Sequence, residues 1–140
     1  MIKKMSRDES DALLRSQRLA RLGCVSDGYP YVVPINYVYD GESVLSHSLP
    51  GRKIEAMRAA PRVCLQVDEV RDQFNWKSVL VFGTFEELTG SDERSRALNL
   101  LLSLFPRLTP VESLIAEDAN APAPVVYRVR VERLTGISES

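Results

Sequence analysis

The residues with most chemistry to offer fall in one run, Ser46-His47-Ser48-Leu49-Pro50-Gly51-Arg52-Lys53. His47 is the chain's one imidazole, a group able to donate, accept or carry a proton near neutral pH. After the Ser-Leu-Pro-Gly turn, Ile54 and Met57 fall three apart, on one face of a helix that Pro61 bounds. Arg52 and Lys53 then sit in or near its first turn, where free N–H groups already make the field positive. Cations there are unfavourable by roughly 0.3 kcal/mol or more each unless an anion joins them. Ser48, the Gly51 amide, Arg52 and Lys53 therefore form a candidate phosphate cradle. Two solvated basic side chains at a helix start are the plainer alternative, and these residues leave both open. His47 has the same two readings: a strand-end histidine bonded to backbone, or a working imidazole beside the cradle.

Other candidates are fewer. Trp76 is the only tryptophan and opens a strand after a polar loop. It is a core or rim residue, or a platform for a planar aromatic ligand. Asp68, Glu69 and Asp72 read as a solvated strand end rather than a cation site. Ser46 and Ser48 flank His47, but neighbours on a strand point to opposite faces, so no nucleophile–base pair follows. No GxGxxG, GxxxxGK[ST] or GxSxG occurs, which argues against Rossmann, P-loop and hydrolase-elbow sites. One histidine excludes a His-rich zinc site.

The elements that must position these residues alternate between turns and apolar runs. Residues 8–17 read as a short amphipathic helix with Leu13 and Leu14 on its apolar side. Leu19–Ser26 reads as a strand, Asp27-Gly28 as a hairpin turn, and Tyr29–Tyr39 as a long strand apolar on both faces, expected to be covered on both. Asp40-Gly41 turns the chain into the strand Ser43–His47, so that three strands make an antiparallel meander. Arg62–Val70 and Trp76–Leu88 read as strands around a polar Arg71–Asn75 loop. Gly83, inside the second, signals a bulge or a close approach. Ser91 opens a helix with the apolar stripe Ala97, Leu98, Leu101, Leu102 and Phe105. Thr109–Ala116 reads as a shorter helix, Asp118–Pro124 as a loop, and Val125–Leu134 as a last strand with Tyr127, Val129 and Val131 facing in. The fold class is mainly β (α+β): a six-stranded antiparallel barrel with peripheral helices.

At 140 residues, one domain is expected. A net charge of −1 gives no bulk electrostatic case for nucleic acid or an acidic membrane. No apolar run spans a bilayer, and the charged N-terminus lacks an apolar signal core. Cys24 and Cys64, in apolar runs without CxxC spacing, read as buried free thiols of a cytoplasmic protein.

Gly28-Tyr29-Pro30-Tyr31-Val32-Val33-Pro34-Ile35-Asn36-Tyr37, then His47-Ser48 with Gly51-Arg52-Lys53, then Val63-Cys64-Leu65-Gln66-Val67-Asp68, Trp76-Lys77-Ser78-Val79-Leu80-Val81-Phe82-Gly83 and Tyr127-Arg128-Val129-Arg130-Val131 follow one another. They resemble the pyridoxamine-5′-phosphate-oxidase-like FMN-binding split barrels, and within them the nitroimidazole-reductase-like branch. The resemblance implies a homodimer with FMN at its interface. Ser48, Arg52 and Lys53 would hold the phosphate, where the cradle argument also sets the Gly51 amide. Pro34 and Asn36 would run beside the isoalloxazine, Trp76 and Ser78 would line its other side, and His47 would lie near the flavin as the catalytic candidate. It further implies reduction of small electron-poor substrates such as nitro compounds or quinones. A non-catalytic FMN protein, or a haem protein with His47 as axial ligand, are the alternatives. The longer oxidases carry a C-terminal extension beyond the position of Ser140, so pyridoxamine phosphate is not the expected substrate. Val33, Ile35, Val79 and Val81 are the apolar strand surface expected to meet a second subunit.

Overall fold

The computed structural model describes residues 1–105 and 123–140. The expected Thr109–Ala116 helix lies outside them. Eight strands and three helices are described: β1 (Ile2–Lys4), α1 (Arg7–Ser16), β2 (Leu19–Ser26), β3 (Tyr29–Asn36), β4 (Val38–Tyr39), β5 (Ser43–Ser48), α2 (Arg52–Ala59), β6 (Arg62–Asp72), β7 (Asn75–Glu87), α3 (Ser91–Leu104) and β8 (Val125–Glu139).

The sheet is antiparallel throughout, in the order β3-β2-β6-β7-β8-β5-β4, with β1 added along β8. β3 and β4 thus stand at opposite edges, yet only Tyr37 separates them in sequence. Two edges joined by one residue must be neighbours in space, so the sheet is rolled into a barrel. The long Tyr29–Tyr39 strand is broken at Tyr37: its first part pairs with β2 and its last two residues pair with β5. Tyr37 turns its N–H to Arg18 O (3.0 Å) and its hydroxyl to Leu14 O (2.6 Å). Counted as one broken stave, β3–β4 completes a circle of six with β2, β6, β7, β8 and β5, and β1 is an addition with no sequence signal. The break is the split in the barrel: no ladder joins β3 to β5 among the described residues.

Local chemistry explains most boundaries. Ser6 and Glu9 form a reciprocal capping box at the start of α1. Asp27 and Gly28 take positive φ (51° and 78°), as a two-residue hairpin turn requires. The expected Arg71–Asn75 loop shrinks to Gln73-Phe74, because Asp72 accepts from the Phe74 amide at 2.8 Å and lets both strands run almost to the tip. β8 continues past Leu134 to Glu139, where it pairs with both β7 and β1. Gly83 meets both of its sequence readings. The β7–β8 register shifts there, and a Cβ on Gly83 would stand 2.2 Å from Arg130 O.

Inside the barrel, Leu22, Tyr37, Val44, Leu65, Val67, Val79, Val81, Tyr127 and Val129 are buried with Leu14 of α1 and Ile54 and Met57 of α2. α1 touches β4, β6, β7 and β8 and so lies across the barrel, while α2 packs on β2. α3 covers the outside of β5 and β8 through Ala97 and Leu101, against Val38, Leu45, Leu88 and Val126.

One expectation is reversed. Ile35, Val79 and Val81 are buried in the interior and Val33 packs against it, so they are not an interface surface. The outer face carries the exposed apolar residues instead: Leu19, Val25, Val32, Leu80 and Ile137, with Val32 at 64% exposure. The outer side of β3 is therefore open in this chain, not covered.

Candidate functional site

The split is where the candidate residues gather. β4 pairs with β5 through Val38↔Leu45, and continuing that register by two residues sets Asn36 opposite His47. Ser46 Oγ donates to Asn36 O at 2.6 Å, which pins the two diverging strands together at this point. Along β5 the side chains alternate. Val44 and Ser46 turn inward, while Leu45 and His47 turn out towards α3 and the split. His47 pairs in register with Val126 and is half-buried, and its ring has no hydrogen-bond partner among the described residues. It is separated from Ser46 and Ser48 by strand parity, as the sequence requires.

Beyond β5 the chain turns into α2. Gly51 is the N-cap, extended (φ 174°), and as a glycine supplies no side-chain cap to the first amides. Gly51 is exposed, and among the described residues a Cβ there would meet Leu49 O alone, at 4.0 Å. Ser48 does not cap this helix: it is 9% exposed, and its hydroxyl donates to Leu49 O at 2.9 Å. Arg52 donates from Nε to Ser26 Oγ at 2.9 Å, with its guanidinium 4.6 Å above the Tyr31 ring. Uncapped amides, an open glycine and two cations make a donor set suited to a phosphate dianion. A cavity of about 400 Å³ beside it is lined by Ser26, Asp27, Arg52 and Glu55 among others.

Pro34 and Asn36 lie on the outer face of β3, exposed. Ser78 shares their face three strands away: continuing the β2–β6 register by two residues gives the row Asn36–Leu19–Asp68–Ser78, roughly 14 Å along the sheet at 4.8 Å per strand. Its hydroxyl accepts from Gln66 Nε2 at 3.0 Å, Gln66 also donates to Asp68, and Arg21 donates to Asp68 at 3.1 Å. Trp76 lies two residues further out and donates from its indole to Glu139 at 2.9 Å. One chain therefore sets Asn36 opposite His47, turns Ser48 to the other face, sends Arg52 of α2 to Ser26 and Tyr31 at the hairpin end of β3, and leaves Ser78 and Trp76 at a distance on the outer face. The sequence reading missed Ser26 and Tyr31, the residues that hold Arg52. Their only signal is position, one on each side of the Asp27-Gly28 turn.

Burial shapes the barrel interior below the split. Tyr127 is wholly buried and its hydroxyl has no hydrogen-bond partner among the described residues. Burial pushes that phenol up to about 12; the neighbouring Ser46 hydroxyl draws it partly back, although the proton of Ser46 goes to Asn36 O. Burial also raises the Cys24 and Cys64 thiols. Cys24 is buried inside and Cys64 is half-buried on the outer face, so the two thiols do not meet. No group of three or more metal-ligating side chains occurs among the described residues, and none of their helices is long and apolar enough to cross a membrane.

A barrel split beside an open helix start defines a class, and comparison with known proteins gives that class its family. Residues 6–138 match the pyridoxamine 5′-phosphate oxidase family model. The chain belongs to this family. It is 35% identical over 141 residues to an uncharacterized protein of Rhizobium meliloti (strain 1021), covering 96% of this chain and 93% of that one. It is also 35% identical to a FAD-binding protein of Mesorhizobium loti, with a TM-score of 0.80 over 100% of this chain and 99% of that one. A candidate 5-nitroimidazole antibiotic resistance protein of Bacteroides thetaiotaomicron shares the fold at 21% identity, with a TM-score of 0.74 over 99% and 89% of the two chains.

Proposed function

We propose that this chain is a flavin-dependent oxidoreductase that works as a cytoplasmic homodimer on small electron-poor substrates such as nitro compounds or quinones, with FMN as cofactor. The observation that carries the reading is the start of α2, where a helix whose N-cap is a glycine, with no side-chain cap, carries Arg52 and Lys53 in its first turn. These residues bind the phosphate. Asn36 supplies a hydrogen bond to the ring system, and Pro34 packs its edge without adding a competing N–H. When bound, the flavin supplies hydride or electron transfer. His47, opposite Asn36, donates a proton or hydrogen bond to the substrate oxygen on which negative charge builds. A second copy covers the outer apolar face and shields the site from water, with Trp76 and Ser78 on that face. Two thiols on opposite faces of the barrel suit a reducing compartment.

FAD is the second reading, favoured by the name of the 35% identical Mesorhizobium loti protein. The same phosphate contacts serve either dinucleotide or mononucleotide, so the site by itself does not choose. An absorption spectrum of the purified protein distinguishes two flavin bands from the Soret band of a haem. Fluorescence of the released cofactor before and after phosphodiesterase treatment separates FMN from FAD. Turnover of a nitro compound with NADH or NADPH separates an enzyme from a carrier. For the phosphate contacts, Arg52→Ala with Lys53→Ala should weaken FMN binding about 100-fold or more, since hydrogen bonds to charged groups are worth about 1.5–3 kcal/mol each. Riboflavin, which lacks the phosphate, should change little. Equal losses for both ligands would place the phosphate elsewhere.

A further inference from the structure

Arg52 makes two contacts that its place in a helical first turn does not require. Its Nε reaches back to Ser26 Oγ at the end of β2, and its guanidinium stacks over Tyr31 near the start of β3. Ser26 is buried, at 7% exposure, so its hydroxyl is not a casual surface partner. A free arginine side chain samples many rotamers, and ordering it costs about 2 kcal/mol. Here that cost is met before any ligand arrives. The hydrogen bond fixes the direction of the guanidinium and the ring contact fixes its plane. Only Nε is used, and the remaining N–H donors of Arg52 have no hydrogen bond or ion pair among the described residues.

We propose that Ser26 and Tyr31 are positioning residues, which hold the Arg52 guanidinium as a preset fork for the phosphate group of the flavin. This rests on the flavin reading above. The alternative is that the three residues merely staple α2 to the β2–β3 hairpin. A staple would support every ligand of the barrel equally; a preset fork supports only ligands with a phosphate.

The test is the affinity ratio of FMN to riboflavin, measured by quenching of flavin fluorescence on the full chain freed of bound flavin. Ser26→Ala and Tyr31→Leu should each weaken FMN about tenfold, the size of one ordinary hydrogen bond, and leave riboflavin unchanged. Tyr31→Phe keeps the ring face and should keep the wild-type ratio. Arg52→Lys retains charge but has no Nε to offer, so Ser26→Ala should add no further loss in that background. If Tyr31→Leu does not fold, Ser26→Ala and its pairing with Arg52→Lys decide the matter alone. A wild-type ratio in these variants, or equal weakening of both ligands, overturns the proposal in favour of a staple. A wild-type chain that binds FMN and riboflavin alike overturns the phosphate assignment itself, and shows this before any variant is made.

Discussion

Two glycines show how much a single position can carry. Gly83 faces Arg130 O so closely that any Cβ would clash with backbone, which cannot swing away. Gly83→Ala should therefore lose about 3 kcal/mol of stability in urea unfolding. Gly23 lies on the outer face, where among the described residues a Cβ would meet only Cys64 O at an ordinary 3.5 Å. Gly23→Ala should leave the barrel as stable as before or slightly more so, since glycine in a strand costs about 0.5–1 kcal/mol relative to alanine. Equal losses at the two positions would show that the register shift does not depend on Gly83. His47 belongs to the same scale. His47→Ala should leave flavin affinity nearly intact and slow reoxidation of the reduced protein by a nitro or quinone acceptor, by up to about 10²–10⁴-fold if a proton is transferred. His47→Gln, a donor without an acid proton, should fall between if hydrogen bonding contributes. Stopped-flow traces that coincide for all three proteins would return His47 to the role of a strand-end residue.

At the scale of elements, the helices are held by side chains from strands far away in sequence. α3 is fastened by Arg128 of β8, which bonds Glu86 of β7 at 2.7 Å and Glu93 of α3 at 2.9 Å, while Arg130 adds a second contact to Glu86. The Arg128 hydrogen bond holds the Glu86 carboxyl below its ordinary value of 4.5, against the opposing effect of partial burial. A carboxyl lowered by folding stays ionised in the folded chain at a pH where the unfolded chain has already taken up a proton. Its contribution is thus present above pH 4.5 and disappears as the pH falls through the lower folded value. Glu86→Gln should unfold more easily than wild type at neutral pH, by about 1 kcal/mol at most for so exposed a cluster. That gap should close as the pH drops below 4.5. A gap that is constant with pH would mean the cluster contributes through packing rather than charge.

For the whole molecule, the decisive feature is which side of the sheet is left open. The interior is filled by side chains from all six staves and from α1 and α2, whereas the outer face presents Val32, Leu19, Leu80 and Ile137 to solvent. These side chains are interleaved with Arg21, Gln66, Asp68 and Ser78, a mixed surface of the kind that non-obligate interfaces present, and a second copy is the occupant we propose. Val32→Asp with Leu80→Asp should leave the circular dichroism spectrum unchanged, reduce the mass measured by light scattering to that of one chain, and release the flavin. A variant that stays dimeric would move the interface to another face; a wild type that is monomeric at micromolar concentration with full flavin occupancy would remove it.

Short-range chemistry determined the hairpin turns, the capping box of α1, the stripe that buries Ile54 and Met57, and the parity that parts His47 from its flanking serines. Each follows from a few adjacent residues whose φ, ψ and side-chain period leave one solution. The ordered motifs also carried the family, because they reflect the whole set of staves in sequence. Tertiary structure alone decided the rest. Tyr29–Tyr39 is apolar on both faces, so nothing within it says that Tyr31, Val33 and Ile35 turn inward, or that it breaks at Tyr37 to serve both edges of the sheet. The choice of Val33, Ile35, Val79 and Val81 as an outer surface failed for this reason: alternation gives two faces, and only closure of the barrel says which one is inside. Ser26 and Tyr31 were equally hidden, since Arg52 reaches them across a gap in sequence that no local period spans. Contacts of that kind exist only after the edges have met, and their energy is part of what makes them meet.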